Sequence, residues 1–151
     1  MTDNRRISLC ITTYNRVDFT LKSFQKVYND ERIEAIIIVD DCSDENEFLV
    51  LKYEIERYSK IKLYRNLTNQ GCYLNKFVAV SYAPTEYACV FDSDNEMLPE
   101  YIDALFKYDF QSNIIYAPDF LMPTFDYSHF GGAMITRNSV SEYAKEKMFD
   151  C

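Results

Sequence analysis

The chemistry in this chain is carried by two acidic strand ends, Ile37-Ile38-Val39-Asp40-Asp41 and Val90-Phe91-Asp92-Ser93-Asp94. In each, carboxylates follow directly on a run of buried-strand residues. An open α/β sheet binds its ligands in the crevice beyond the carboxyl ends of its strands, so acids placed there suggest a polar ligand. These carboxylates would repel a diphosphate, and no Lys/Arg cluster beside them reverses that field. A hard divalent cation does so by bridging carboxylate to phosphate oxygens, and an oxygen-only site with one or two carboxylates suits Mn2+ or Mg2+. Asp92 and Asp94 are the candidates for that role. Asp-x-Asp is a weak signal alone, because thirteen Asp in 151 residues give roughly one such pair by chance. Its weight comes from its position after Tyr87-Ala88-Cys89-Val90-Phe91. The bland alternative is that both acids cap the helix near Pro99 or sit in solvent.

Phosphate binding by a glycine-rich loop is excluded. Gly71, Gly131 and Gly132 are the only glycines, so neither a GxGxxG dinucleotide loop nor a Walker A loop can form.

The elements that must position these acids alternate between strand and helix, the signature of a mostly parallel sheet with helices on its faces. Ile7 to Thr12 reads as a first strand. Val17, Leu21, Phe24 and Tyr28 then recur at helical spacing. Glu34 to Asp40 is a second strand, apolar on both faces as a central parallel strand should be. Phe48, Leu51, Ile55 and Tyr58 mark a second helix, and Ile61 to Tyr64 a short third strand. Gly71 precedes a third helix carrying Leu74, Phe77, Val78 and Tyr82. Pro84 closes it, Tyr87 to Phe91 is a fourth strand, and Pro99 opens a helix to about Phe106. Ile114 to Tyr116 and Ala133 to Thr136 read as strands, Ser139 to Lys147 as a last helix, and 117–130 as an irregular loop.

Size and composition set the outer bounds. A chain of 151 residues, 48% apolar and 16% aromatic, makes one domain of ordinary size. Its net charge of −8 argues against nucleic acid or an anionic membrane as a partner. Five cysteines without CxxC spacing read as reduced thiols, and no run reaches membrane-spanning length. Both point to a cytoplasmic location, where the Asn66-Leu67-Thr68 glycosylation pattern carries no meaning.

Four ordered motifs give the chain a specific resemblance over about residues 7–107. Thr12-Thr13-Tyr14-Asn15-Arg16, Val39-Asp40-Asp41-Cys42-Ser43-Asp44, Asn69-Gln70-Gly71 and Phe91-Asp92-Ser93-Asp94 resemble the nucleotide-sugar-binding half of family 2 glycosyltransferases. The resemblance implies a GT-A-type α/β fold, Rossmann-like and three-layered around a mostly parallel central sheet. Residues 1–151 would form one such domain, with about 1–107 as its nucleotide-binding part and 108–151 as an incomplete donor-sugar and acceptor-side part. It implies a UDP-sugar donor, Mn2+ or Mg2+ as cofactor, and inverting transfer to a hydroxyl acceptor. For that acceptor, whether glycan, lipid or protein, the sequence gives no signal.

The same resemblance assigns roles. Thr12 and Tyr14 would line a uracil pocket, with Asp41, and Asp40 beside it, accepting hydrogen bonds from uracil or ribose. Lys76 falls where the family has Arg, beside base and diphosphate, and Phe77 replaces the Asn that normally follows. Asp94 would be the metal ligand, and Asp92 would contact ribose or reach the metal through water. Gly131 and Gly132, next to His129, would let the donor sugar approach the backbone. Tyr14 covering the sheet edge, Lys76 on a solvated helix face, Asp40 as a turn cap and a plain Gly131-Gly132 turn are the plain alternatives. Lys147-Met148-Phe149-Asp150-Cys151 resembles a segment that the family's catalytic Asp normally follows, so the general base is expected outside these residues. Spacing selects neither Asp119 nor Asp126 in its place. Two rival readings remain. A haloacid-dehalogenase-like phosphatase is suggested by Phe91-Asp92-Ser93-Asp94, and a phosphoacceptor receiver domain by Asp40, Asp41 and Asp92.

Overall fold

The seven residues ISLCITT are buried throughout β1 (Ile7–Thr13), as the central strand of a sheet covered on both faces must be. In this computed structural model, which describes residues 5–116 and the backbone of 120–121 and 125–126, the chain falls into two compact units, residues 1–99 and 100–151.

The first unit holds the parallel sheet. After β1 come α1 (Val17–Gln25), β2 (Ile33–Asp40), α2 (Glu45–Ile55), β3 (Ile61–Arg65), α3 (Cys72–Ser81) and β4 (Tyr87–Asp92). The strands lie in the order β3-β2-β1-β4, and all three pairings are parallel. Right-handed crossovers put α1 and α2 on one face and α3 on the other. The strand interiors supply the core: Leu9, Cys10, Ile11, Ile36, Ile37, Ile38 and Val39 are fully buried.

Two helices depart from the expected apolar stripes. In α1 the buried line is Val17, Thr20, Ser23 and Phe24, and Leu21 and Tyr28 are only half-buried. Thr20 and Ser23 tolerate burial because their hydroxyls are paired, Thr20 with Thr13 at 2.7 Å and Ser23 with the Thr20 carbonyl at 2.7 Å. In α3 the expected Leu74, Phe77 and Tyr82 are exposed; Val78 packs against the core as expected, and the fully buried positions are Asn75 and Ala79. Ala79 packs with Cys10, Ile37 and Val39. A residue that small lets the helix backbone approach the sheet.

The second unit continues α4 (Pro99–Leu105), then gathers Phe106, Tyr108, Phe110 and Tyr116 into ring contacts, with Phe106 and Phe110 at 5.2 Å. The strand expected at 114–116 does not form. Tyr116 instead donates its hydroxyl to the Asp109 carbonyl at 3.1 Å and accepts the Gln111 N–H at 3.2 Å, which folds the segment back on itself. Part of the expected 117–130 loop is a short antiparallel ribbon, β5 (Phe120–Leu121) with β6 (Phe125–Asp126). The strand expected at 133–136 and the helix at 139–147 lie outside the described residues.

Candidate functional site

Strand order fixes where a ligand can sit. From β1 the chain steps outward through α1, β2, α2 and β3, and α3 then carries it back across the sheet to β4 on the far side of β1. The connections therefore diverge between β1 and β4, opening a crevice beyond their carboxyl ends, the usual ligand position in open α/β sheets. The residues at that edge are Thr12 and Thr13 of β1 and Asp92 of β4, with Ser93 and Asp94 following.

The acids there are paired one by one. Thr12 donates its hydroxyl to Asp92 Oδ1 at 3.1 Å, and the Ser93 N–H donates to the Thr12 carbonyl at 3.1 Å. Lys76 Nζ, reaching from α3, meets Asp92 Oδ2 at 2.9 Å. Arg16 Nη1, from the turn after β1, meets Asp94 Oδ2 at 2.6 Å, with both side chains 49% exposed. The sequence offered no cationic cluster beside these acids. Folding supplies two cations from distant positions, residues 16 and 76.

The end of β2 works differently. Asp40 is 1% exposed. It accepts the Ser43 N–H at 3.0 Å and the Ser43 hydroxyl, and Arg65 Nε lies 3.3 Å from Oδ2. Its visible work is closing the turn into α2. Asp41, 4% exposed, faces the α3 side: Oδ1 accepts Asn66 Nδ2 and the Gln70 N–H, each at 2.8 Å, and Oδ2 accepts the Gly71 N–H at 2.9 Å. This carboxylate anchors the Asn69-Gln70-Gly71 turn, with acceptor capacity left on Oδ2. Asn66 also donates to Asn75 Oδ1 at 3.0 Å, and Asn75 donates to the Val39 carbonyl at 3.1 Å. Sequence reading missed Asn66 and Asn75; the one signal available was a polar residue inside the apolar run of α3.

Tyr14, directly after the end of β1, is 47% exposed. Asn15 beside it adopts the left-handed conformation, φ 50°. Its N–H donates to Ser43 Oγ at 2.8 Å and its side-chain carbonyl accepts the Asp44 N–H at 2.8 Å. The fold thus brings Thr12, Tyr14, Lys76, Asp92 and Asp94 to one edge, and binds Asp40 and Asp41 into the turns that flank it. Gly131, Gly132, His129 and Asp119 lie outside the described residues, as do 147–151 and the side chain of Asp126.

Among the described residues no three His, Cys, Asp or Glu side chains converge as a metal centre. The donor set at the β4 end is two carboxylates, which fits Mg2+ or Mn2+ held jointly by protein and phosphate oxygens. No helix among the described residues is long and apolar enough to cross a membrane.

The model of the family described as glycosyl transferase family 2 matches residues 8–138. No curated protein matches the sequence. Among solved structures, S. aureus TarS 1–349 superposes with a TM-score of 0.57 at 20% identity over 68% of this chain. The same protein in complex with UDP-GlcNAc gives 0.58, and in complex with UDP 0.57, both again at 20% identity over 68% of this chain. The likeness establishes the GT-A-type α/β fold. The chain spans 31% of TarS 1–349, 30% of it in the UDP-GlcNAc complex and 31% in the UDP complex.

Proposed function

This chain belongs to glycosyl transferase family 2, and we propose from there that it binds the donor of a metal-dependent, inverting glycosyltransferase that uses a UDP-sugar. The observation that carries the reading is the β1–β4 switch point, where Thr12 and Lys76 meet Asp92, and Asp94, two residues on, meets Arg16. Support for UDP comes from TarS, which shares this fold and is described in complexes with UDP and UDP-GlcNAc.

In the proposed site each residue does work that its position allows. Tyr14, half-exposed directly after β1, offers its ring to the base, with Thr12 beside it. Asp41 holds the Gln70-Gly71 turn and turns the free capacity of Oδ2 towards uracil or ribose, while Asp40 keeps the β2 end in place. Lys76 and Asp92 flank the ribose and diphosphate. Asp94 and Asp92 are the residues to hold Mn2+ or Mg2+, which would neutralise the diphosphate and stabilise it as a leaving group. Gly131 and Gly132 are proposed for the sugar.

Calorimetric titration tests the reading. UDP should bind in Mn2+ and far more weakly in EDTA, and Asp94→Asn should weaken UDP while sparing uridine. Equal UDP affinity in Mn2+ and EDTA would remove the metal from the proposal. Failure of UDP and uridine to bind at all would remove the nucleotide.

A further inference from the structure

Arg16 has no part in the donor binding proposed above, yet its side chain closes on Asp94, the most exposed acid of the site. The Arg16 Nη1–Asp94 Oδ2 distance is 2.6 Å, across 78 positions of sequence. The backbone beneath the guanidinium is firmly held. Arg16 is the residue before α1, and its carbonyl accepts both the Thr20 N–H at 2.9 Å and the Thr20 hydroxyl at 2.8 Å. Asn15 before it is braced on both sides by the Ser43-Asp44 turn. A fixed base therefore carries a long, half-exposed side chain.

The pairing itself is loose in energy. Both side chains are 49% exposed, and exposed ion pairs contribute little because water and salt screen them. Asp92 is paired in the same manner with Lys76, at 2.9 Å. The two acids of the edge are thus each matched by one cation. A divalent ion attracts a carboxylate with twice the charge of a guanidinium. The guanidinium, once released, presents a planar fork of donors that matches phosphate oxygens.

Resting on the function proposed above, we infer that Arg16 is an exchangeable counter-ion. It neutralises Asp94 while the site is empty and turns to the diphosphate once Asp94 is taken by the divalent cation. Net charge at the edge stays balanced in both states. Without ligand, Arg16 and Lys76 answer Asp94 and Asp92. With ligand, the cation answers the carboxylates and the two side chains answer the diphosphate. Arg16 is a positioning residue for the diphosphate end of the donor, and it competes with cation binding in the donor's absence.

The two halves of the inference have opposite signs, which a purely structural residue would not produce. Binding of Mn2+ alone is read by the loss of free-ion electron paramagnetic resonance signal, at low salt. Arg16→Ala should bind Mn2+ about two- to fivefold more tightly than the unchanged protein, the factor an exposed ion pair is worth. The same variant should bind UDP in Mn2+ about tenfold or more weakly, through loss of a charge-assisted hydrogen bond, and uridine equally well. Arg16→Lys, which keeps the charge and the backbone contacts to Thr20, should hold Mn2+ affinity near the starting value and lose part of the UDP affinity. If the unchanged protein binds UDP with Mn2+ but Arg16→Ala weakens or leaves unchanged the binding of Mn2+ alone, the inference is overturned and the proposed function stands. If the unchanged protein binds neither Mn2+ nor UDP, the proposed function falls and takes the inference with it.

Discussion

At Asp41 three donors from a single loop converge on one buried carboxylate. The residue holds the loop that leads into α3 as well as facing the proposed base pocket. Removing the side chain takes from the Gln70 N–H its acceptor and leaves the Gly71 N–H to Asn69 Oδ1 and the Asn66 amide to Asn75 Oδ1, so the loop loses the carboxylate that ties it together. Asp41→Ala should therefore lower unfolding free energy by about 1–3 kcal/mol, read by denaturant unfolding. It should weaken uridine binding to the same degree in Mn2+ and in EDTA. A stability loss with unchanged uridine affinity would make Asp41 a loop anchor alone. Asn66 belongs to the same unit, since its Nδ2 serves both Asp41 and Asn75, and Asn66→Ala should reproduce the stability loss in milder form.

For the elements, α3 offers the sharpest contrast. Tyr73, Leu74, Phe77 and Val80 point outward, with Phe77 64% exposed, whereas Ala79 is fully buried. Phe77→Ser should thus change stability by no more than about 0.5 kcal/mol, while Ala79→Leu should cost about 1–3 kcal/mol by forcing the helix off the sheet. Thermal melts of the two variants decide which face packs. The N-terminus of the same helix depends on Gly71, at φ 80° and ψ 163°, a region that only glycine enters cheaply. An added Cβ would meet nothing within 4 Å, so the restriction is the backbone angle alone. Gly71→Ala should cost about 1–3 kcal/mol and disturb the N–H that Asp41 accepts.

At the scale of the whole molecule, two thiols of the sheet, Cys10 and Cys89, contribute to the pH response at the alkaline end. Burial pushes the Cys10 thiol up to about 12, with Cys89 nearby adding to it, and burial alone does the same for Cys89. In the unfolded chain both thiols ionise near 9.0. Between pH 9 and 12 the unfolded state therefore holds fewer protons than the folded one, and stability falls as pH rises through that window. Below pH 9 the two thiols leave stability independent of pH. Cys10→Ala/Cys89→Ala should flatten the alkaline slope measured by denaturant unfolding. In the folded chain at pH 8, a thiol reagent should reach the exposed Cys72 first and the buried Cys10 last, Cys10 reacting only as the sheet opens.

What the sequence determined by itself was the order of elements and the positions of the acids along them. Runs such as Ile36-Ile37-Ile38-Val39 carry their own burial, and an acid directly after such a run lies at the strand's end whatever the rest of the chain does. The motifs beginning at Thr12, Val39, Asn69 and Phe91 were legible for the same reason, each being local in sequence. Tertiary structure alone decided which side chains those acids would meet. Arg16 and Asp94 are paired because the α3 crossover sets β4 beside β1, and no local pattern records that a return across the sheet will occur. Of the inner face of α3, periodicity found Val78 but neither Asn75 nor Ala79. Asn75 is buried because its amide finds the Val39 carbonyl and the Asn66 side chain, and Ala79 because its size admits the sheet. Hydrophobicity ranks residues one at a time, whereas burial of a polar amide depends on partners that only the assembled layers provide.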